Sequence, residues 1–474
     1  MRTIKPHPIL AAQFVAAYLS LLIIPALRGI FVFIENGTIT NLILGQIIGF
    51  LLILTLGIIK FCRTKIIVNK DFITFKSGIF MHKSFTLKPN EIECLRTKIN
   101  PLKRFLHSAN VKFYTNAAKI RADFDITISL KNLRTIKSAL NFNSEHGQGI
   151  SKKSRALSTA IYALSASSIT IGAVTLWPII SLASEVFERN FSQEIYTGID
   201  EATRPLSPIF PGIMAVLLAI FAIVLLFSFT AILFKHSHFK TQIGGDFIKI
   251  QSGFLTLFKT YVRRNCIAAA QISQTPMLSA LSRENITIFA PISVSNPLNS
   301  QVILPASKNQ TAIDNFAQNF KIHDDYHTQI GMTKRGTTRF RRFALLIIAY
   351  IIGGAIVLRL IPHDLCLELA IIAFSAIFIA IIWYAVRFNA AKFCEINIGK
   401  NQIKSTMLYG FTVKKIHAKS NRISIIKFTQ NPFDKRLDVE SAKIFIANPK
   451  VIKCRMVNIS NQDSTALIDN FRDL

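Results

Sequence analysis

The sequence predicts α-helical membrane hairpins, six transmembrane helices in all, alternating with three β-rich modules, each a curved, partly open β-barrel with a C-terminal helix. Three observations carry that class: six apolar runs that fall in pairs, a repeat of about 90 to 110 residues behind each pair, and an excess of positive charge confined to the repeats. Of 474 residues, half are hydrophobic and 17% are charged, where ordinary soluble domains carry about 25%. Mean hydropathy is +0.38, which excludes an ordinary soluble globular protein. Against this stand 56 Lys and Arg and 26 Asp and Glu, a formal charge of +30. An oily chain and a basic one are rarely the same stretch, so the two properties must be segregated.

A hydrocarbon core of about 30 Å needs roughly 20 apolar helical residues. The first pair of runs is Ile9 to Leu27 and Ile39 to Ile59, joined by a connection with Arg28 and Glu35. The 19-residue first run exceeds the h-region of a signal peptide and is read as retained. The second pair is Ala156 to Ser184 and Pro208 to Phe234, with Pro208 and Pro211 suited to a first helical turn. In the third pair, Phe343 to Ile361 contains Arg359 and Leu365 to Val386 contains Glu368, both at the loop end of the hairpin.

Lys and Arg flank the runs on one side: Arg2 and Lys5, Lys60 and Arg63, Lys152 and Lys153, Lys235, Arg341 and Arg342, Arg387. The longest opposite loop is acidic, with Glu185, Glu188, Glu194, Asp200 and Glu201. The positive-inside bias then puts both termini and all three modules in the cytoplasm of a multi-pass cell-membrane protein. Residues 60–155 carry a net charge of +14, residues 235–342 of +9 and residues 387–474 of +9. The expected organisation is a hairpin over 1–59, a module over 60–150, a hairpin over 151–234, a module over 235–330, a hairpin over 331–386 and a module over 387–474.

The modules repeat. Asp71, Phe72, Ile73, Ser77 and Gly78 match Asp246, Phe247, Ile248, Ser252 and Gly253 at an offset of 175. Lys88, Asn90, Ile92, Pro101, Leu102 and Leu106 match Arg263, Asn265, Ile267, Pro276, Met277 and Leu281, and at an offset of 331 Lys419, Asn421, Ile423, Pro432, Phe433 and Leu437. Alternating stretches such as KTQIGGDFIKIQSGF predict hairpin-linked strands. Each module closes on a run of 3.6 periodicity, KNLRTIKSAL, QTAIDNFAQNF and STALIDNFRDL, the last with Ser464 or Thr465 as the expected N-cap.

These residues resemble the YdbT-like bacterial PH-domain membrane proteins, which string PH domains behind transmembrane hairpins. The segments INPLKRFL, QTPMLSAL and QNPFDKRL carry the resemblance, with Gln274 and Gln430 retained and Ile99 in the equivalent place. Members often have Gly after the final leucine, where this chain has His107, Ser282 and Asp438. The resemblance implies three cytoplasmic PH-like domains. It also implies a homo- or hetero-oligomer with a smaller PH-domain membrane protein.

The basic side chains make an anionic phospholipid surface the expected contact, each cation gaining about 1 kcal/mol near an anionic leaflet. The candidates for lipid or partner contact are Lys103 with Arg104, Arg263 with Arg264, Lys414 with Lys415, and the position that recurs as Lys88, Arg263 and Lys419. The competing account of these cations is topological. Nucleic acid is not expected, since no recognition motif accompanies the charge. The six cysteines contain no C-x-x-C pair, and His323 and His327 lack the Glu of a zinc-protease motif. No catalytic motif, metal site or cofactor site is expected, so the protein reads as a non-enzymatic module that binds a membrane partner, a lipid surface or both. The alternative is a transporter or channel component with an uncharged pore. Small residues suited to helix packing are Gly45 and Gly49, a GxxxG, and the adjacent Gly353 and Gly354.

Overall fold

The computed structural model describes residues 2–18, 40–69, 71–78, 83–115, 124–142, 150–167, 212–290, 301–308, 326–331, 392–399, 401–409, 411–430, 438–446, 452–455 and 459–472, with scattered positions between them. The expectation of six transmembrane helices is overturned. Among the described residues the chain is β-rich, with four sheets, and one helical window is long and apolar enough to cross a membrane, Ala219–His236. The physical reason is that an uncharged run need not be one helix. Within Ile9 to Leu27, the described helix is the ten-residue Ile9–Tyr18. Within Ala156 to Ser184, it is the eleven-residue Ala156–Ala166, ended by the extended backbone of Ser167. At 1.5 Å per residue the helix Ala156–Ala166 reaches about half of a hydrocarbon core. Residues 19–39 and 168–192, with most of 334–391, lie outside the described residues, as does His323.

Two compact units divide the chain, Met1–Lys153 with Phe234–Cys266, and Ser154–Leu233 with Ile267–Leu474. In the first unit β1 (Arg2–Ile4), β2 (Lys65–Val68), β3 (Ile73–Ser77) and β4 (Lys83–Leu87) form one antiparallel sheet in that order. Between β1 and β2 come α1 (Ile9–Tyr18) and α2 (Thr40–Arg63), which pack together where Gly57 meets Ala11, Phe14 and Val15. The second sheet has β5 (Ile92–Ile99), β6 (Ser108–Thr115) and β7 (Phe124–Ser129), with α3 (Pro101–Phe105) after β5 and α4 (Leu130–Ala139) after β7. It continues through β8 (Ile150–Lys153), β9 (Lys240–Ile243), β10 (Phe247–Ser252) and β11 (Leu257–Arg263), in the order β7-β6-β5-β11-β10-β9-β8. Period-two alternation buries Ile66 and Val68 of β2 and Ile73 and Phe75 of β3. They meet Leu95, Val111, Phe113, Ile126 and Ile128 of the second sheet and Leu133 and Ile136 of α4 in one core. Phe75 sits at its centre, 4.9 Å from Phe113 and 4.7 Å from Phe124 between ring centroids. Ser129 Oγ caps α4 by accepting from the Asn132 N–H.

In the second unit α5 (Ala156–Ala166) and α6 (Gly212–His236, of which 212–233 belong to this unit) bring Tyr162, Ala163 and Ile232 against Leu278 of α7 (Pro276–Ala280) and Val302 and Ala306 of β14. Its large sheet runs β14-β13-β12-β18-β17-β16-β15, made of β12 (Ala269–Gln274), β13 (Arg283–Phe289), β14 (Gln301–Lys308), β15 (Tyr326–Gly331), β16 (Glu395–Gly399), β17 (Gln402–Tyr409) and β18 (Thr412–Lys419). A last sheet holds β19 (Ile423–Thr429), β20 (Val439–Ile446) and β21 (Ile452–Arg455), with β22 (Ile459–Ser460) on β20. The closing helix α8 (Asn461–Arg472) begins earlier than expected. Ser460 Oγ accepts from the Asp463 N–H and is the capping group, whereas Ser464 lies inside the helix and donates to Glu440 Oε1.

Each repeat thus gives its first four strands to one sheet and its last three or four to the next. The first strand of every repeat, β1, β8 and β15, precedes its apolar segment in sequence and pairs with the strand that follows it. The two joints between repeats share one register: Ile99↔Leu257 through Cys94↔Val262, and Gln274↔Val413 through Ala269↔Ala418. His107, Ser282 and Asp438, where glycine was expected, all hold φ near +50°. The left-handed turn therefore persists without glycine, at a cost of roughly 1–2 kcal/mol each. Gly78 and Gly253 of the repeated Ser-Gly pair also have positive φ, +146° and +112°.

Candidate functional site

The helices α1 and α2 join the first sheet at Ile4 and Lys65, so that end of each sheet is helix-proximal and the end at Val68 and Leu87 is remote from it. The recurring basic position lies at the remote end in all three repeats. Lys88, Arg263 and Lys419 each stand at a short 3-10 turn, Pro89–Glu91, Arg264–Cys266 and Ser420–Arg422. Lys88 and Lys419 are exposed, and Lys88 lines an open cleft of about 750 Å³ with Arg2, Asp71, Asn90, Ser138 and Asn141. Arg263 is half-buried and differs in its partners. Its Nε donates to Ile92 O at 3.0 Å, and its Nη2 donates to Pro89 O and Leu140 O, each at 3.1 Å. Its guanidinium also lies 5.1 Å from the Phe142 ring centroid. Leu140 O belongs to the C-cap of α4, where a cation complements the helix dipole. Arg264 Nη1 donates to Gly245 O at 3.2 Å.

Lys103 and Arg104 are placed differently, on α3 at the helix-proximal end. Burial lowers the Lys103 pKa, partly offset by Asp125, with Lys98 and Lys112 lowering it further. Arg104 is exposed, as are Leu102 and Phe105, the latter 83% accessible. Because Ile99 pairs with Leu257, α3 is beside the turn that links β10 to β11. That turn presents Phe254 and Leu255 to solvent. It is pinned to the last turn of α6: the Phe254 N–H donates to Phe234 O, the Gly253 N–H donates to Ser237 O, and the rings of Phe254 and Phe234 stack at 5.9 Å. In the second unit the β17–β18 tip, again helix-proximal, exposes Tyr409 and Phe411. Lys414 lies 4.6 Å over the Tyr409 ring, and burial lowers its pKa. Lys415 attracts the Glu284 carboxyl, whose pKa burial raises.

The sequence reading did not single out these exposed aromatics. Their signal was available in the repeat, since Phe254 and Leu255 directly follow the repeated Ser-Gly. A Cβ at Gly353 or Gly354 would meet nothing within 4 Å among the described residues, and Gly45 and Gly49 lie on α2. No group of three or more His, Cys, Asp or Glu among the described residues is placed to hold a metal ion. Cys62 is exposed, whereas Cys94, Cys394 and Cys454 are buried, and burial pushes the Cys454 pKa up to about 11.

The joint between the first two repeats also holds a titrating pair. Lys137 Nζ of α4 donates to Tyr261 Oη of β11 at 2.7 Å. Burial first, then Lys259, Lys249 and Arg134, push the Lys137 pKa down from 10.5 to about 8, while burial pushes Tyr261 up to about 12. Between pH 8 and 10.5 the unfolded chain holds the lysine proton that the folded chain has released, so stability rises with pH. That contribution is fully present above about 10.5 and is lost as pH falls through about 8. Tyr261 acts in the opposite sense only above pH 10.0, its ordinary value. Denaturation midpoints of the full chain should therefore climb from pH 8 to 10, and Lys137→Met should flatten the climb. An equal slope in wild type and variant would exclude Lys137 as its source.

The family profile described as Bacterial PH domain matches residues 13–141, which run from α1 to the end of α4. Among curated proteins and among solved structures there is no match.

Proposed function

We propose that this protein is a non-enzymatic membrane-surface protein whose PH-like β modules bind an anionic lipid surface through their helix-proximal ends. The observation that carries the reading is the foot of the first unit. Exposed Leu102, Phe105, Phe254 and Leu255 form an apolar rim at the end of the apolar helix α6, and the exposed Arg104 flanks it, next to the buried Lys103. Apolar side chains that enter the headgroup boundary beside a cation that meets its charge are the arrangement of an interfacial anchor. The profile match over residues 13–141 supports a lipid- or protein-binding role for that stretch. Lys88 and Arg263 lie at the opposite end of the first unit, and Lys419 at the remote end of its own sheet in the second, so on this reading they serve the β modules and not the bilayer.

Hydrogen exchange on the full chain in nanodiscs tests the proposal. Amides of residues 101–106 and 253–257 should exchange at least fivefold more slowly with phosphatidylglycerol than with phosphatidylcholine, and Arg104→Glu should abolish the difference. Equal exchange in the two lipids sinks the reading.

A further inference from the structure

Two strand edges are left open by the repeat itself. The fifth strand of one repeat pairs with the fourth strand of the next, as β5 with β11 and β12 with β18. The third repeat also has a fifth strand, β19, and the first repeat has a fourth, β4. Each lies at the end of its sheet, and neither has a strand on its outer side among the described residues. The equivalent positions show what is missing. Cys94 in β5 and Ala269 in β12 are 0% and 3% exposed, whereas Ile425 in β19 is 60% exposed.

We propose that β19 of one copy of this chain pairs antiparallel with β4 of a second copy. The register is set by the two joints already present: applying the repeat offsets aligns Thr429 with Lys83, Phe428 with Ser84, Lys427 with Phe85, Ile426 with Thr86 and Ile425 with Leu87. The occupant is a second copy because this chain carries the two complementary halves of a joint it makes twice. Unpaired backbone groups along an edge rich in Ile and Phe template such an addition, and Lys427 is the one charge on β19 that opposes it. A second feature agrees. Lys88 ends the open β4 edge at the position where Arg263 ends β11 and clamps the carbonyls of Pro89 and Ile92. In the proposed joint Lys88 of the second copy would meet their repeat equivalents, the carbonyls of Ser420 and Ile423. The joint is head-to-tail, so copies close into a ring or extend as a filament. It does not depend on the lipid-surface reading.

Two differently tagged full-length chains, one with Ile425→Cys and the other with Leu87→Cys, are mixed in detergent and oxidised. An interchain disulfide should form at least tenfold faster than between Ile425→Cys and Thr86→Cys, whose side chains fall on opposite faces of the joint. Native Cys62 is changed to Ser in all chains. Mass photometry should show wild-type assemblies larger than a monomer. Ile425→Lys, at a site already exposed in the single chain, should weaken association at least tenfold, and Lys88→Ala should weaken it severalfold. A monomeric wild type, a crosslink with no register preference, or assemblies unaffected by Ile425→Lys would each overturn the proposal.

Discussion

Replacing Gly253 with alanine should destabilise the first unit by about 3–5 kcal/mol, the range of severe single substitutions. Gly253 has φ of +112°, and a Cβ there would lie 1.9 Å from the Thr256 carbonyl oxygen, inside its own turn. Neither rotamer change nor a flexible neighbour relieves a clash with backbone. Opening the turn would break the Gly253 N–H bond to Ser237 O and the stacking of Phe254 on Phe234, so the effect should spread to the end of α6. Thermal unfolding of the full chain in detergent measures it, with Gly245→Ala, where a Cβ meets nothing within 4 Å, as the control. Equal melting of the two variants would refute the account.

Arg263→Ala should cost about 4–5 kcal/mol. Hydrogen bonds from a charged donor contribute about 1.5–3 kcal/mol each, and the half-buried setting calls for the low end across three acceptors. The loss falls on the carbonyls of Pro89, Ile92 and Leu140, which bind the first repeat to β11 of the second. Arg263→Lys should recover only part, because an ammonium cannot reproduce the planar fork. Binding of the full chain to anionic vesicles should be unchanged in either variant. A variant with wild-type stability and weakened vesicle binding would return Arg263 to the role of a lipid contact.

That contrast shows how far the sequence could be read. Recurrence of Lys88, Arg263 and Lys419 correctly marked a repeated place in the fold, the 3-10 turn after the fourth strand. It did not say what the side chain does there, since a cation clamping carbonyls and a cation in solvent look alike in one dimension. Strand alternation, the Ser-Gly turns and the closing helices of the first and third repeats were legible because each depends on neighbours within a few residues, while the closing run of the second repeat lies outside the described residues. The joints β5–β11 and β12–β18 were not, because strand partners so far apart in sequence leave no local trace. Hydropathy misjudged the helices for a related reason: it records where charge is missing, whereas the end of α5 at Ser167 is a matter of backbone conformation. The strands β1 and β8 were too short, at three and four residues, to stand out from the flanks of the apolar segments.

The placement of those first strands bears on how the chain is made. Translation delivers β1 well before the β2 it must pair with, and β5 well over a hundred residues before β11. At roughly 5–20 residues per second, the outer edge of β5 waits on the order of 10–30 s for its partner. During that wait a β11 from a neighbouring ribosome offers the same hydrogen bonds in the same register. The fraction of chains that pair within themselves is therefore set by elongation rate and polysome spacing as much as by the stability of the finished sheet.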